Sequence, residues 1–587
     1  MRGVIGRLAA AVLCGLLLAA AFPLSLPGEA GAAIVARLAL LTGAPVDLGY
    51  VQFPGLAFVG LVPLLLAVRG CRGGGEAFAT GYVAGVVWLT LHLDWIGSFG
   101  WLPVLALAAF FALPVGLFAL MMHAVIRQAR PGLVVWGAAT LWVAIEYLRS
   151  FGFWAFPWNQ LGYTQVAGPP MLQVAELGGV FAVSFLITLA NSALFALIAP
   201  VGRFRHRLGH LAIAGVVCSA ACGFGVARMT VWPFGHPAGE IRLALIQGGM
   251  ETLAPWSGEE LDESLRLYVP PSQDVLNAWS AMSGVSPAGT AVDIAPGPLG
   301  TVPHDAGGDV QGQAGKQPAG GPVRVGQADR RLADGPGQDL LVVWPESVLQ
   351  GVLDQRHPGE LPNPVRRMLA GRRDAALLMG AIGSPRDDLH IENGSVLVEP
   401  GGKVTWEHSK LRLVPYGEIV PFRGLVRFLQ YPWGPADLTE SRAVAPLSWR
   451  GHKLGLMICF DNVFSFICRR DVLKGAQGFV VMTNNSWYKL HSGIRQHCDI
   501  DVLRAVEYRR PLARCSTTGW SHFIAPDGRI TASTAVDGPG VLVEAVGLRS
   551  GLTVYARVGD LFAQLCLLAA LLICLPPLIV GRSEGFL

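Results

Sequence analysis

Charge is scarce in this chain. Of 587 residues only 15% are Asp, Glu, Lys or Arg, against 52% hydrophobic, and mean hydropathy is +0.46. That balance argues against a purely soluble protein and for several membrane spans joined to something soluble. The net charge of +4 is small and scattered, which gives no basis for a nucleic-acid partner. Ten cysteines occur without a single CxxC pair, so neither a zinc ribbon nor a disulfide framework is indicated. No phosphate loop is present either, because GQAGKQ at 312–317 has the wrong spacing.

What is abundant is apolar sequence. Seven apolar segments precede residue 230, near 8–26, 55–69, 76–97, 103–126, 133–148, 174–199 and 209–227, and another lies at 559–580. Most approach the ~20 residues needed to cross ~30 Å of hydrocarbon. The second and fifth are short, and the patch at 33–42 suits a re-entrant or interfacial piece. The basic loops alternate: Arg2 and Arg7, then Arg69 and Arg72, Arg127 and Arg130, and Arg203, Arg205 and Arg207. All fall on one side, which the positive-inside rule makes cytoplasmic. The stretch between the seventh and eighth spans is then outside. Reading 1–22 as a cleaved signal peptide would put those loops out of phase.

His92, Asp94, Glu146, Arg149 and Glu176 sit at membrane depth or at its outer edge. Such groups are costly there, and they are either functional or paired at helix ends. In the aromatic loop 151–165, Trp154 and Trp158 suit an interfacial anchor.

From Ile241 the texture becomes that of a soluble α/β domain. IRLALIQGG (241–249), DLLVVWPES (339–347), AALLMGAIG (375–383), GLMIC (455–459) and GFVVMTNNSW (478–487) predict buried strands. Hairpins are expected at 395–408, across Gly401–Gly402, and at 522–534, across Asp527–Gly528. This alternation suggests a layered α/β sandwich. Residues 284–338, rich in Gly, Pro and Ala, read as a disordered insertion. The apolar stretch 421–434 suggests an arm lying in the membrane interface.

Three chemistry-bearing residues stand at strand ends or exit turns: Glu346, Lys410 and Cys459. A thiol needs a base, and an attacked carbonyl needs a positive partner for its oxyanion. Cys459 ends a strand, and Asp461–Asn462 offer caps for a helix from Val463 to about Lys474. A helix N-terminus there would favour thiolate. Each residue also has a plainer reading, as a buried small side chain, a helix-start carboxylate or a solvated lysine.

WPES, SKLRLVPYGE and the strand-ending Cys459 resemble the Glu–Lys–Cys signature of the nitrilase superfamily of carbon–nitrogen hydrolases. Over its whole length the chain resembles the family of bacterial inner-membrane apolipoprotein N-acyltransferases. FPWNQLGYTQ, IQGGMETLAPW, NNSWY, RQH and RAVEYRRPLARCSTTGWS carry that likeness.

The resemblance implies a membrane domain (1–230) of about eight spans in all, counting the C-terminal helix at 559–580. It also implies a periplasmic αββα sandwich at 241–545. Glu346 would be the general base, Cys459 the nucleophile carrying an acyl thioester, and Lys410 the stabiliser of the tetrahedral intermediate. Glu418 would support the site, and Trp256 would sit on a loop beside it. The implied donor is a phospholipid, and the implied acceptor is the free amine of a diacylglyceryl-cysteine on an apolipoprotein. No metal or cofactor is implied, and His491, His497 and Cys498 fit the motif better than a zinc set. Phe460 and Asp461 stand where the family usually has Tyr and Glu.

Two rivals remain open from residues alone. A membrane-tethered nitrilase-type amidase would share the triad without needing the preceding spans. A transporter or sensor would leave the triad unexplained, and its spans should show an internal repeat that is not evident.

Overall fold

The computed structural model describes residues 2–25, 50–152, 155–199, 202–231, 235–250, 258–283, 339–354, 361–385, 390–415, 417–419, 438–441 and 445–580. The patch 33–42, Trp154, Trp256, the 284–338 segment and the 421–434 stretch lie outside them.

The N-terminal part is a helical bundle. Among the described residues five helices are long and apolar enough to cross a membrane: Gly3–Ala21, Trp101–Arg127, Pro131–Leu148, Ala175–Ile198 and Phe204–Thr230. Gly74–His92 adds a 19-residue helix. It packs so tightly on Trp101–Arg127 that a methyl at Gly81 would press within 2.4 Å of the Ala119 Cβ. Small residues at such a seam let two backbones approach closely. The segment expected at 55–69 is broken into a 3-10 turn, Pro54–Phe58, and the eight-residue helix Val62–Arg69, the latter only about 12 Å long. Asn191 ties that break to the bundle: its amide donates to the Ala57 carbonyl (2.7 Å) and accepts from the Leu61 N–H (2.8 Å).

The C-terminal part contains two sheets. One holds β1 (His236–Gln247), β2 (Leu340–Val343), β3 (Leu349–Asp354), β4 (Ala375–Ser384), β5 (Glu392–Val398), β6 (Val404–Ser409) and β13 (Gly540–Ser550). Its order is β13-β1-β2-β4-β5-β6, with β3 beside β4. The other holds β7 (Leu447–Trp449), β8 (His452–Ile458), β9 (Gly478–Thr483), β10 (Leu512–Ser516), β11 (His522–Ile524) and β12 (Ile530–Ser533), ordered β12-β11-β10-β9-β8-β7. Strands β1, β2 and β4 run parallel in the first sheet, and β8, β9 and β10 in the second. Both expected hairpins form, as β5–β6 and β11–β12.

The sheets face each other across an apolar layer that includes Leu243, Leu341, Val343, Leu456, Ile458 and Val480. Helices Gly258–Ser283 and Asn363–Leu369 flank the far face of the first sheet. Helices Ser465–Leu473 and His491–Tyr508 cover the second. The result is an αββα sandwich. Parallel strands buried on both faces read as continuous apolar runs, which is the pattern LLVV and GFVVMT carry.

His491–Tyr508 is buried nearly throughout and joins the two parts. The Gln496 amide accepts from the indoles of Trp95 (3.1 Å) and Trp158 (2.8 Å) and donates to the carbonyls of Pro23 (3.0 Å) and His92 (3.1 Å). Arg504 donates to the Tyr163 hydroxyl at 2.8 Å. Gly178 and Gly179 break the helical backbone of Ala175–Ile198, and Glu507 accepts the Val180 N–H there at 3.1 Å. Several of the polar residues flagged at membrane depth serve this seam or its surroundings. Glu176 pairs with Arg228 and Arg509, Asp94 accepts from Ser492, and Glu146 accepts from Trp142 and the Leu161 N–H.

Candidate active site

The turns after β2, β6 and β8 converge at one end of the sandwich. Glu346 follows β2 and Lys410 follows β6, while Cys459 directly continues β8. The three side chains are 4%, 1% and 7% exposed, so the cluster is shielded from bulk water.

Lys410 lies between two carboxylates. Its ammonium donates to Glu346 Oε1 at 3.0 Å and to Glu418 Oε1 at 2.8 Å. Asn393 bridges the same two oxygens, at 2.7 and 2.9 Å. The remaining carboxylate oxygens accept backbone amides: Glu346 Oε2 from Asn484 (2.7 Å) and Glu418 Oε2 from Val414 (2.8 Å). Burial works against the Lys410 charge, yet Glu346 and Glu418 outweigh it and hold the ammonium well above its ordinary range. Close approach is built into the backbone. A methyl at Gly380 would meet the Pro345 carbonyl oxygen at 2.3 Å, and the Gly380 N–H donates to that carbonyl at 3.1 Å.

Cys459 differs from the expectation in two ways. The residues after it form a 3-10 turn, Cys459–Val463, and the α-helix begins only at Ser465. Neither Asp461 nor Asn462 caps that helix. Asp461 instead turns back to accept the N–H groups of Ile458 (3.2 Å), Leu411 (3.1 Å) and Arg412 (2.9 Å). Asn462 donates to Asp501 at 2.7 Å and faces His497 at 3.0 Å. The thiol is also not favoured as thiolate. Burial and the Glu346 charge push it up to about 12, against the opposing pull of Lys410 and the Thr483 hydroxyl. Desolvation outweighs a single turn of amide dipoles. Cys459 has φ +49°, as Ser347 has +58° just after Glu346. Such left-handed backbone costs a non-glycine residue about 1–3 kcal/mol and persists only where its surroundings impose it.

Phe460 points away from the sulfur's partners and toward the helical bundle. It stacks on Phe156 (centroids 6.3 Å) and meets Phe464 edge-on (5.2 Å). Trp158 lies in the same layer, parallel to Phe156 at 5.8 Å and against Tyr488 at 6.3 Å. Beneath the nucleophile turn, His497 faces Asn462, Asn485 and Arg514, and Arg514 is paired with Asp501. His497 is therefore committed to a hydrogen-bond network. His491 faces Asp537 at 3.5 Å, and among the described residues no group of His, Cys, Asp and Glu is arranged to hold a metal.

The structure thus brings together Glu346, Lys410, Cys459 and Glu418, with Asp461 behind them and Phe460 and Trp158 on the bundle side. Asn393 and Thr483 are the residues that sequence reasoning missed. Their local signal is position, because Asn393 sits on the first strand of the hairpin that leads to Lys410 and Thr483 ends β9.

Both halves of the chain match known families. Residues 14–193 match the family model of the apolipoprotein N-acyltransferase N-terminal domain, and residues 337–550 that of carbon-nitrogen hydrolase. The chain is 27% identical to the apolipoprotein N-acyltransferase of Geobacter metallireducens, over 91% of this chain and 93% of that protein. It is 28% identical to the same-named enzymes of Chromobacterium violaceum (87% and 86% covered) and Pseudomonas putida (86% and 88%). Among solved structures, an amidase from Nesterenkonia sp. covers 57% of this chain and 97% of its own, at 17% identity and TM-score 0.31. The two family matches lie in order along one chain, and relatives named for one activity match it nearly end to end. The chain is similar nearly end to end to apolipoprotein N-acyltransferases and is an acyltransferase with a carbon–nitrogen hydrolase domain.

Proposed function

We propose that the chain moves a fatty acyl group from a phospholipid, through a thioester on Cys459, to the N-terminal amine of a diacylglyceryl-cysteine. The observation that carries this reading is the placement of the nucleophile. Cys459 shares a buried cluster with Glu346 and Lys410, while the adjacent Phe460 stacks on Phe156 of the aromatic loop that packs against the helical bundle. One turn therefore joins a thiol to the apolar half of the molecule.

The steps follow from the neighbours. Glu346 takes the Cys459 proton as sulfur attacks the donor's ester carbonyl, so the thiol is ionised only as the bond forms. Lys410 faces the developing oxyanion, and two carboxylates hold its charge against the cost of burial. Collapse expels the lysophospholipid alkoxide, which recovers the proton from Glu346. The acceptor amine then attacks the thioester, forming the amide and returning the thiol. Glu418 and Asn393 position Lys410 and Glu346, and Asp461 positions the Lys410 segment. Trp256, which the family resemblance would set on a loop beside the site, lies outside the described residues.

The same reading takes about eight spans, counting Gly74–His92, the broken 54–69 segment and the helix Leu561–Val580. It places the protein in a bacterial inner membrane with the catalytic part outside. A reporter active only outside the membrane should work when fused near residue 260 and fail after Arg205. The reverse pattern would overturn the orientation.

Phospholipid alone should convert the enzyme to an S-acyl form and release lysophospholipid before any acceptor is added. Neutral hydroxylamine should strip the label, and Cys459→Ala should abolish it. A diacylglyceryl-cysteine peptide should then accept the acyl group on its amine, whereas an amidase would discharge it to water. Equal labelling without Cys459 would sink the assignment.

A further inference from the structure

Behind the aromatic layer lies a set of polar side chains that the triad does not use. Arg149 follows the helix Pro131–Leu148. Its Nε and Nη2 are buried and have no hydrogen-bond partner among the described residues. Those two nitrogens form one edge of the guanidinium, the edge that engages two oxygens of a phosphate or carboxylate side by side. The residue as a whole keeps partial exposure, while that edge is buried.

Among the described residues two further buried groups are unpartnered. Both ring nitrogens of His92, 1% exposed, lack a partner, and the His92 ring is close enough to Arg149 for their charges to interact. The whole side-chain amide of Asn159, in the aromatic loop and fully buried, also lacks one. Buried polar atoms left unpaired in a membrane bundle are expensive, and a bound polar ligand relieves that cost. Among the described residues the acid whose charge reaches Arg149 is Glu146; its Oε1 accepts from Trp142 and the Leu161 N–H, and its Oε2 makes no hydrogen bond to Arg149.

The position suits a lipid. The Arg149 guanidinium lies over the Phe111 ring at 6.0 Å, Phe111 stacks on Phe156 at 5.2 Å, and Phe156 stacks on Phe460 beside the nucleophile. Phe111 belongs to the membrane-length helix Trp101–Arg127, several of whose leucines face outward. An anionic lipid headgroup reaching Arg149 would have its chains alongside that helix and would meet the same aromatic layer that reaches the turn carrying Cys459.

We propose, on the reading that the acyl donor is a phospholipid, that Arg149 receives the phosphodiester of that donor, with His92 and Asn159 as further polar contacts. Arg149 is then a specificity-determining residue for phosphate-bearing donors.

The test compares two donors on the full-length enzyme: phosphatidylethanolamine in vesicles, and a p-nitrophenyl fatty ester that carries no phosphate. Formation of the hydroxylamine-sensitive S-acyl enzyme is followed with each. Arg149→Gln should raise the apparent KM for the phospholipid by about tenfold to a hundredfold, the range expected for a lost charge-assisted pair. The loss with the ester should be at least about tenfold smaller, and Arg149→Lys should recover part of the phospholipid activity. Equal losses on both donors would assign Arg149 a structural role and overturn the proposal. Undiminished phospholipid use by Arg149→Gln would overturn it as well. Loss of inhibition by free oleate with an unchanged phospholipid KM would assign the site to a fatty-acid carboxylate instead. Wild-type enzyme labelled by the ester but never by phospholipid would overturn the donor reading itself, and this proposal with it.

Discussion

The carboxylate of Asp461 accepts the backbone N–H of Arg412 at 2.9 Å, linking the turn after the nucleophile to the segment that carries Lys410. The same side chain accepts from Leu411 and Ile458. One buried group thereby fixes where two separate strands present their reactive atoms. Asp461→Ala would leave three amides without their acceptor. Each buried unsatisfied group costs about 1–3 kcal/mol, so thermal unfolding should shift down markedly and the rate of S-acyl formation should fall. A variant with wild-type melting and rate would show that this link positions nothing.

Asn393 donates one amide group to both Glu346 and Glu418. Asn393→Asp replaces that donor with a third carboxylate around a single lysine. Like charges at such distances repel strongly in a shielded site, so acylation should fall by about a hundredfold, near the low end for loss of a catalytic proton-transfer group. Asn393→Ser, which keeps a hydroxyl donor, should lose less. Equal losses in both variants would point to packing rather than charge.

Cys459 is pushed up to about 12 by burial and by Glu346. The resting thiol is therefore neutral at physiological pH. Inactivation by iodoacetamide, followed on the acylation activity, should keep rising with pH past the ordinary thiol range and show no plateau near pH 8. The stability sign is also set. The folded value exceeds the unfolded one, so the contribution of this thiol is complete below about 9 and is lost as pH climbs toward about 12. An alkylation plateau near neutrality would mean a thiolate, against this geometry.

Gln496 holds Trp95, Trp158, Pro23 and His92 at once. Gln496→Leu fills similar space but leaves two indole N–H groups and two carbonyls unpaired at the seam. The expected loss is about 3 kcal/mol or more, together with a lower acylation rate from vesicles. Gln496→Glu keeps the acceptors for both indoles and should retain more of the stability. Leucine and glutamate variants with the same melting temperature would show that the indole bonds contribute little.

Much of this molecule is decided locally. Runs such as LLVV and GFVVMT alternate with turn residues, and that alone marks buried parallel strands. Gly401–Gly402 takes positive φ, as a tight hairpin needs. The apolar content of 101–127, 175–198 and 204–230 makes them membrane-length helices wherever they pack. Glu346, Lys410 and Cys459 were legible as candidates because strand ends are where a sandwich presents side chains.

The rest depends on contacts between residues far apart in the chain. Local pattern assigns Asp461 and Asn462 to a helix cap; the fold turns them to Leu411, Arg412 and Asp501 instead. A helix terminus suggests a thiolate at Cys459, yet enclosure by two sheets and the nearby Glu346 charge raises the thiol. Asn393 has no motif, and it matters only because β5 brings it between two carboxylates that come from elsewhere in the chain. The eight-residue helix Val62–Arg69 is too short to span by itself, and Asn191 supplies its break with the hydrogen bonds that lipid cannot. Periodicity and composition act over a few residues, so the sequence by itself determines elements and candidate groups. Burial, charge neighbours and hydrogen-bond partners exist only once distant segments meet, and those decide which groups form the site.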